Sequence, residues 1–198
     1  YQAQRSYSLL SPPQRTGLYE LGIERLDDGE VSTWFHDKAQ HGETIEVLGP
    51  VGGHFVLDES NTRPALLIGG GSGVVPLLSM AAQRVGAYSQ AHTTLLVAAR
   101  HLDEVLLWPT LQRWEAFTPR FRSRLALSRD TCAPRAQDHV GRIDGADVAW
   151  ALQQLGDVAT ESAQVFICGR NDFVESIVHM VTGLNVPEVS IRTERFGS

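Results

Sequence analysis

Along residues 1–60, short alternating apolar and polar runs are cut by Gly, Pro and Asp. Residues 7–10 form one such run, stopped by Ser11-Pro12-Pro13. Residues 18–26 alternate again up to Asp27-Asp28-Gly29, residues 44–48 up to Gly49-Pro50, and residues 54–57 follow Gly52-Gly53. This rhythm predicts antiparallel strands of a sheet or barrel, with one short helix over 33–40. After a polar linker over 58–61 the grammar changes. Apolar strands at 65–68, 94–98, 122–127, 164–167 and 189–192 alternate with helical patterns at 74–85, 103–117, 145–155 and 172–183. Continuous apolar strands separated by helices predict a parallel sheet covered on both faces. Residues 128–144 read as a long loop, a mark of function or mobility.

Composition narrows the classes. The chain has 198 residues, 42% apolar and 20% charged, an ordinary globular balance. The net charge of −6 argues against general nucleic-acid binding, because phosphate neutralisation needs a basic surface. No apolar run approaches the ~18 residues of a membrane span. Two cysteines, Cys132 and Cys168, are too few for a disulfide framework or a four-thiolate cluster, and suggest a reducing, cytoplasmic setting. The seven histidines show no metal-ligand spacing.

Chemistry concentrates after the first parallel strand. Leu66-Leu67-Ile68 runs into Gly69-Gly70-Gly71-Ser72-Gly73-Val74-Val75-Pro76, and a helix follows. Glycines there permit a tight turn and close approach of an anion, while the helix start offers unpaired N–H groups. Pro76 suits a first helical turn, where its missing N–H is not needed. A diphosphate is the natural guest. A Walker loop is excluded because no Gly-Lys-Ser/Thr follows, and Pro76 stands where the common dinucleotide fingerprint has its third glycine.

Five motifs then occur in a familiar order: Arg5-Ser6-Tyr7-Ser8, the hinge 49–55 (GPVGGHF), Gly71-Ser72-Gly73-Val74-Val75-Pro76, Cys168-Gly169, and the terminal 192–197 (RTERFG). Together they resemble the ferredoxin–NADP reductase-like flavoproteins over nearly the whole chain. The resemblance implies a two-domain α/β protein: an antiparallel flavin-binding barrel over 1–60, then an NAD(P)-binding domain over 61–198. It implies FAD and NADP, with NAD as the alternative coenzyme, and hydride transfer from nicotinamide to flavin. Electrons would then reach an external ferredoxin, flavodoxin or oxygenase component. Two alternatives stand beside it: a free flavin or ferric reductase, and a non-enzymatic NAD(P)-binding regulatory module without flavin.

The resemblance also assigns residues. Arg5 would hold the flavin diphosphate, Tyr7 would lie against the flavin, and Ser8 would hydrogen-bond near its N5 atom. Gly29, Ser32 and Thr33 resemble the second diphosphate contact. Gly71, Ser72, Gly73 and Pro76 would carry the nicotinamide nucleotide's diphosphate, and Cys168-Gly169 would position its nicotinamide. Phe196 would cover the flavin ring and Glu194 would relay a proton. Arg100, Ser128 and Arg129, at two adjacent strand ends, would face a 2′-phosphate, with Asp103 and Asp130 close enough in sequence to oppose it. In the family a Pro often follows the Cys-Gly pair. Here Arg170-Asn171-Asp172 follows, which places charge near the cofactor. Arg15 and Arg25 would dock an acidic redox partner. Only four residues precede Arg5, so the resemblance implies earlier barrel strands: either the native chain begins upstream of Tyr1, or those strands were removed or are disordered.

Overall fold

A computed structural model describes residues 3–13, 17–58, 60, 62–156 and 162–196. Arg15, the linker residues Glu59 and Asn61, the first residue Tyr1 and the terminal Gly197 lie outside the described residues.

Six strands form one parallel sheet: β1 (Ala65–Gly70), β2 (Thr93–Ala99), β3 (Phe121–Leu127), β4 (His139–Val140), β5 (Gln164–Gly169) and β6 (Ile191–Arg195). Their order is β4-β3-β2-β1-β5-β6. The chain therefore steps outward from β1 to β4, then returns to the other side of β1 for β5. That reversal opens a crevice beyond the carboxyl ends of β1 and β5, where open α/β sheets bind ligands.

The strands are buried on both faces, which is why they read as continuous apolar runs. Leu67, Leu95, Leu125 and Phe166 point to one face, packed under α2 (Val74–Gly86) and α3 (Trp108–Phe117). Leu66, Leu96, Ile167 and Val165 point to the other, under α4 (Gly145–Gln153) and the helix Asn171–Gly183, here α5. Alternate residues of each strand thus serve separate cores.

Residues 103–117 do not form one helix. A short turn over Leu102–Glu104 precedes α3, and Leu107 between them has φ +57°. The expected loop 128–144 contains β4, and its Asp138 is buried. That segment is pinned to the sheet: Asp138 accepts from Leu125 N–H (2.9 Å) and from Arg135 Nε (2.8 Å) and Nη2 (2.7 Å).

The first sixty residues depart further from expectation. The helix, α1, spans Glu30–Asp37, three residues earlier than its periodicity predicts, because Gly29 supplies the cap position. Among the described residues of this half, one antiparallel bridge, Leu9 with Leu21, stands where four strands are expected. Alternation marks a segment able to pair, but a ladder needs a neighbour at 4.7–4.9 Å. Residues 44–53 have none, and Val47, Leu48 and Val51 are exposed.

This half nevertheless docks on the α2 face. Ser79 Oγ donates to the Ser11 carbonyl (2.9 Å), and Phe55 meets Phe166 edge-on at 5.4 Å. Gly22 lies so near α2 that a Cβ there would stand 2.4 Å from a Val75 methyl.

Candidate functional site

The glycine turn fills the crevice mouth. Gly69 pairs in register with Cys168 across β1 and β5. Gly73 approaches more closely still: a Cβ on it would sit 2.4 Å from the Cys168 carbonyl oxygen and 2.7 Å from Gly169 Cα. Gly71 differs, with φ +57° and no atom within 4 Å of where a Cβ would stand. The turn is thus pressed against β5 at Gly73 and open outward at Gly71, at the start of a helix, the backbone arrangement that can receive an anion. Ser72 lies between them, half-buried, and Pro76 occupies the third position of α2. Phe173, at the start of α5, wedges against both Gly70 and Gly169; sequence reasoning had no signal for it.

Beside that turn, β5 and β6 place two titratable groups together. Cys168 and Glu194 are register partners. Burial, with the Glu194 carboxylate beside it, pushes the Cys168 thiol far up, so it stays protonated. Burial also raises Glu194, against an opposing pull from His54. His54, exposed in the hinge segment, supplies that pull electrostatically, which no sequence pattern indicates. Phe196 donates its N–H to the Gly169 carbonyl (3.0 Å) and packs with Leu10 and Phe55 against the core that holds Cys168. Residues Ile191–Arg195 are therefore the edge strand beside β5, and Phe196 follows them against that core.

The raised Glu194 carries a stability consequence. A carboxyl raised in the folded state favours folding at low pH, and that favour is lost as pH rises through the folded value. Glu194→Gln is therefore expected to raise the thermal midpoint relative to the parent at pH 8. The advantage should vanish near pH 4. Melts across that range check it, and a pH-independent offset would refute it.

The first half brings its motif residues to one place. The Tyr7 ring meets Phe35 of α1 edge-on at 6.0 Å, so the segment carrying Arg5, Tyr7 and Ser8 runs beside the helix that carries Ser32 and Thr33. Burial raises the Tyr7 phenol and keeps it a donor. Arg5 is exposed; one guanidinium nitrogen donates to the Gln4 carbonyl (2.7 Å). Ser8 is half-buried next to Tyr7. The hydroxyls of Ser32 and Thr33 both donate to the Gly29 carbonyl (3.1 and 2.8 Å), and Ser32 Oγ also accepts from Leu26 N–H. They build the turn. The cap residue Gly29 offers no side chain to the first turn of α1.

At the far end of the crevice, backbone bonds Ser128 N–H to Ala99 carbonyl (3.0 Å) and Arg129 N–H to Arg100 carbonyl (2.9 Å) bring the ends of β2 and β3 together. Ser128 and Arg129 are exposed. Arg100 is held by Glu104 through Nε (3.1 Å) and Nη2 (2.9 Å). His101 pairs with Asp130 at 2.8 Å. His101 and Asp130, with Leu102, Asp103, Val105, Trp108 and Pro109, line an open groove of about 780 Å³.

Residues 67–179 match the family described as oxidoreductase NAD-binding domain, and residues 1–56 match the oxidoreductase FAD-binding domain. The chain belongs to the ferredoxin–NADP reductase-like flavoproteins. It is 28% identical over 197 residues to ferredoxin–NADP reductase B of Sorangium cellulosum, covering 98% of this chain and 79% of that one. A flavohemoprotein of Bacillus subtilis is 29% identical over 196 residues, covering 98% of this chain but 46% of its own. Among solved structures, the FAD/NAD-binding domain of nitric oxide dioxygenase from Vibrio cholerae superposes with a TM-score of 0.82 at 20% identity, covering 100% of this chain and 79% of that one. The two family matches meet between residues 56 and 67, where the alternating pattern gives way to βα alternation.

Two further features of this reductase-family chain are accounted for structurally. Arg25 is paired with Asp37 and Asp27, both at 3.1 Å, so it is less available to an acidic partner than its sequence position implies. His139, Asp144 and Asp147 stand close enough to hold a metal. Asp144 and Asp147 form the capping box of α4, and Asp147 also pairs with Arg124 (3.2 Å) and His139 (2.7 Å), which satisfies the cluster without an ion. No helix among the described residues is long and apolar enough to cross a membrane.

Proposed function

We propose that this chain is an oxidoreductase that takes reducing equivalents from NAD(P)H through FAD and delivers them to an external acceptor. One observation carries the reading. The glycine turn, the Cys168-Gly169 strand end and Phe196 after β6 converge on one crevice, with Leu10, Ser11, Gly22 and Phe55 of the first half packed on that side of the sheet. When bound, FAD supplies the exchange between a two-electron hydride donor and a one-electron acceptor.

Residues 1–60 serve the flavin in this reading, and residues 61–198 the nicotinamide nucleotide. The Arg5 guanidinium and the N–H groups following Gly29 hold the flavin diphosphate, with Ser32 and Thr33 shaping the turn. Tyr7 supplies a ring and a phenol donor, and Ser8 a hydroxyl donor toward the flavin ring. Gly71, Ser72 and Gly73, with the start of α2 at Pro76, hold the nicotinamide nucleotide's diphosphate. Cys168 and Gly169 form the wall for its nicotinamide; a neutral thiol packs there without introducing charge. Phe196 excludes water over the ring, and Glu194 keeps a proton at its carboxyl above the usual carboxylate range. Holding both partners in one dry crevice is the chain's main contribution to rate.

These 198 residues carry two cysteines, too few to hold a four-thiolate cluster themselves. A ferredoxin, a flavodoxin or an oxygenase component is the external electron acceptor in this reading. The names of a ferredoxin reductase and a flavohemoprotein among its relatives support a one-electron acceptor. Both thiols are free, which suits a reducing, cytoplasmic setting.

The visible spectrum of the purified chain, before and after incubation with FAD, tests the reading. A flavin spectrum bleached by NADH or NADPH is expected. A colourless protein that takes up no FAD would refute it, and nucleotide binding by that colourless protein would establish the regulatory module instead. Reduction of free FMN or ferric citrate in preference to a ferredoxin would move the assignment to the free flavin or ferric reductases.

A further inference from the structure

Two guanidinium groups stand where β2 and β3 end, and they are not equivalent. Arg129 is exposed with no carboxylate partner among the described residues. Arg100 is gripped fork-to-fork by Glu104, four residues on, with contacts of 2.9 and 3.1 Å. Glu104 is itself fixed, because its Oε2 also accepts from the Arg100 backbone N–H (3.3 Å). A neighbouring pair repeats the arrangement: His101 Nδ1 lies 2.8 Å from Asp130, whose other oxygen accepts from Leu102 N–H (2.9 Å). The apolar groove floored by Trp108 and Pro109 opens beside these pairs.

We propose that Glu104 is a specificity-determining residue that sets the coenzyme preference of this chain. It holds Arg100 in a planar fork and so withholds it from an adenosine 2′-phosphate. The inference rests on the nucleotide-binding reading above. A guanidinium recognises carboxylate and phosphate through the same two parallel donors, so the two anions compete for one face. A phosphate approaching Arg100 must displace Glu104 or share the cation while repelled by its carboxylate. An unphosphorylated ribose meets neither obstacle. Discrimination against the 2′-phosphate therefore comes from an acid that already occupies the basic residue, beside one, Arg129, that remains available.

Calorimetric titration of the full chain with 2′,5′-ADP and with 5′-ADP tests this without any redox turnover. In Glu104→Gln, the affinity ratio of 2′,5′-ADP to 5′-ADP is expected to rise about tenfold, carried by tighter 2′,5′-ADP. The double variant E104Q/R100A should lose that gain, because the gain operates through the released guanidinium. An unchanged ratio in E104Q overturns the inference. A gain that survives in the double variant also overturns it, by showing that removal of a negative charge, not release of Arg100, is responsible. If the parent chain binds neither nucleotide while remaining folded, the nucleotide-binding reading fails and this inference with it. Binding of both with a fixed ratio defeats only the role of Glu104.

Discussion

Gly73→Ala is expected to destabilise the chain by about 3 kcal/mol, the upper end of the overpacking range, and to weaken nucleotide binding at least about tenfold. The added methyl would meet the Cys168 carbonyl oxygen at 2.4 Å, the Cys168 carbonyl carbon at 2.6 Å and Gly169 Cα at 2.7 Å. All three are backbone atoms of a central strand, so no side-chain rotation relieves the contact. Either β5 moves away from β1 or the turn lifts off β5, and both displace the N–H groups that the turn presents. Gly71→Ala provides the contrast. Its methyl enters open space, and its φ of +57° costs an L-residue about 1–2 kcal/mol. Denaturant melts and nucleotide titration on both variants should separate a packing defect at Gly73 from a conformational one at Gly71. A Gly73→Ala chain with the parent's midpoint would show that the close approach to β5 is not required.

The second large effect lies away from the crevice mouth. Asp138→Ala is expected to cost about 3–5 kcal/mol, the range for breaking a buried ion pair from one side. Its side chain is fully buried and accepts three N–H donors: Leu125 N–H, Arg135 Nε and Arg135 Nη2. Truncation strands a backbone donor inside the sheet and leaves Arg135 with Glu115 and Ser123 as its remaining polar partners. Arg135 also stacks on Trp108, 4.5 Å from the ring centroid, so the loss should reach the groove floor and weaken 5′-ADP binding as well. Asp138→Asn keeps an acceptor for Leu125 and should lose less. Equal losses in the two variants, measured by urea unfolding, would assign the effect to volume and not to pairing.

The parallel-sheet half was largely legible. β1, β2, β3 and β5 are buried on both faces, so each reads as an apolar run with boundaries off by a few residues at most. The terminal strand was harder. Ile191-Arg192-Thr193-Glu194-Arg195 lies at the sheet edge and has one aliphatic residue, so apolar content marked residues 189–192 instead. β4 is two residues long and leaves no periodic signal. In the first half the alternating runs were visible, but only Leu9 and Leu21 form a bridge among the described residues, since alternation specifies a face and not a neighbour. The candidate site divides in the same way. Arg5, Tyr7, Cys168 and the glycine turn stand out by residue type and order, whereas Phe173 acquires its place against Gly70 and Gly169 through contacts that no local pattern encodes.

The sequence by itself therefore determined the parallel-sheet elements, the glycine turn and the order of the family's motifs, because strand burial, glycine chemistry and helix starts are local properties of the chain. The tertiary structure alone decided which groups face one another. Cys168 and Glu194 become neighbours through the β5–β6 register, and Gly73 becomes indispensable through its distance from β5. Arg100 is restrained because a turn of chain brings Glu104 back onto it, and Asp138 is buried because β3 has a backbone donor for it to satisfy. Apart from the local Arg100–Glu104 pair, these are through-space relations, set when segments remote in sequence pack together.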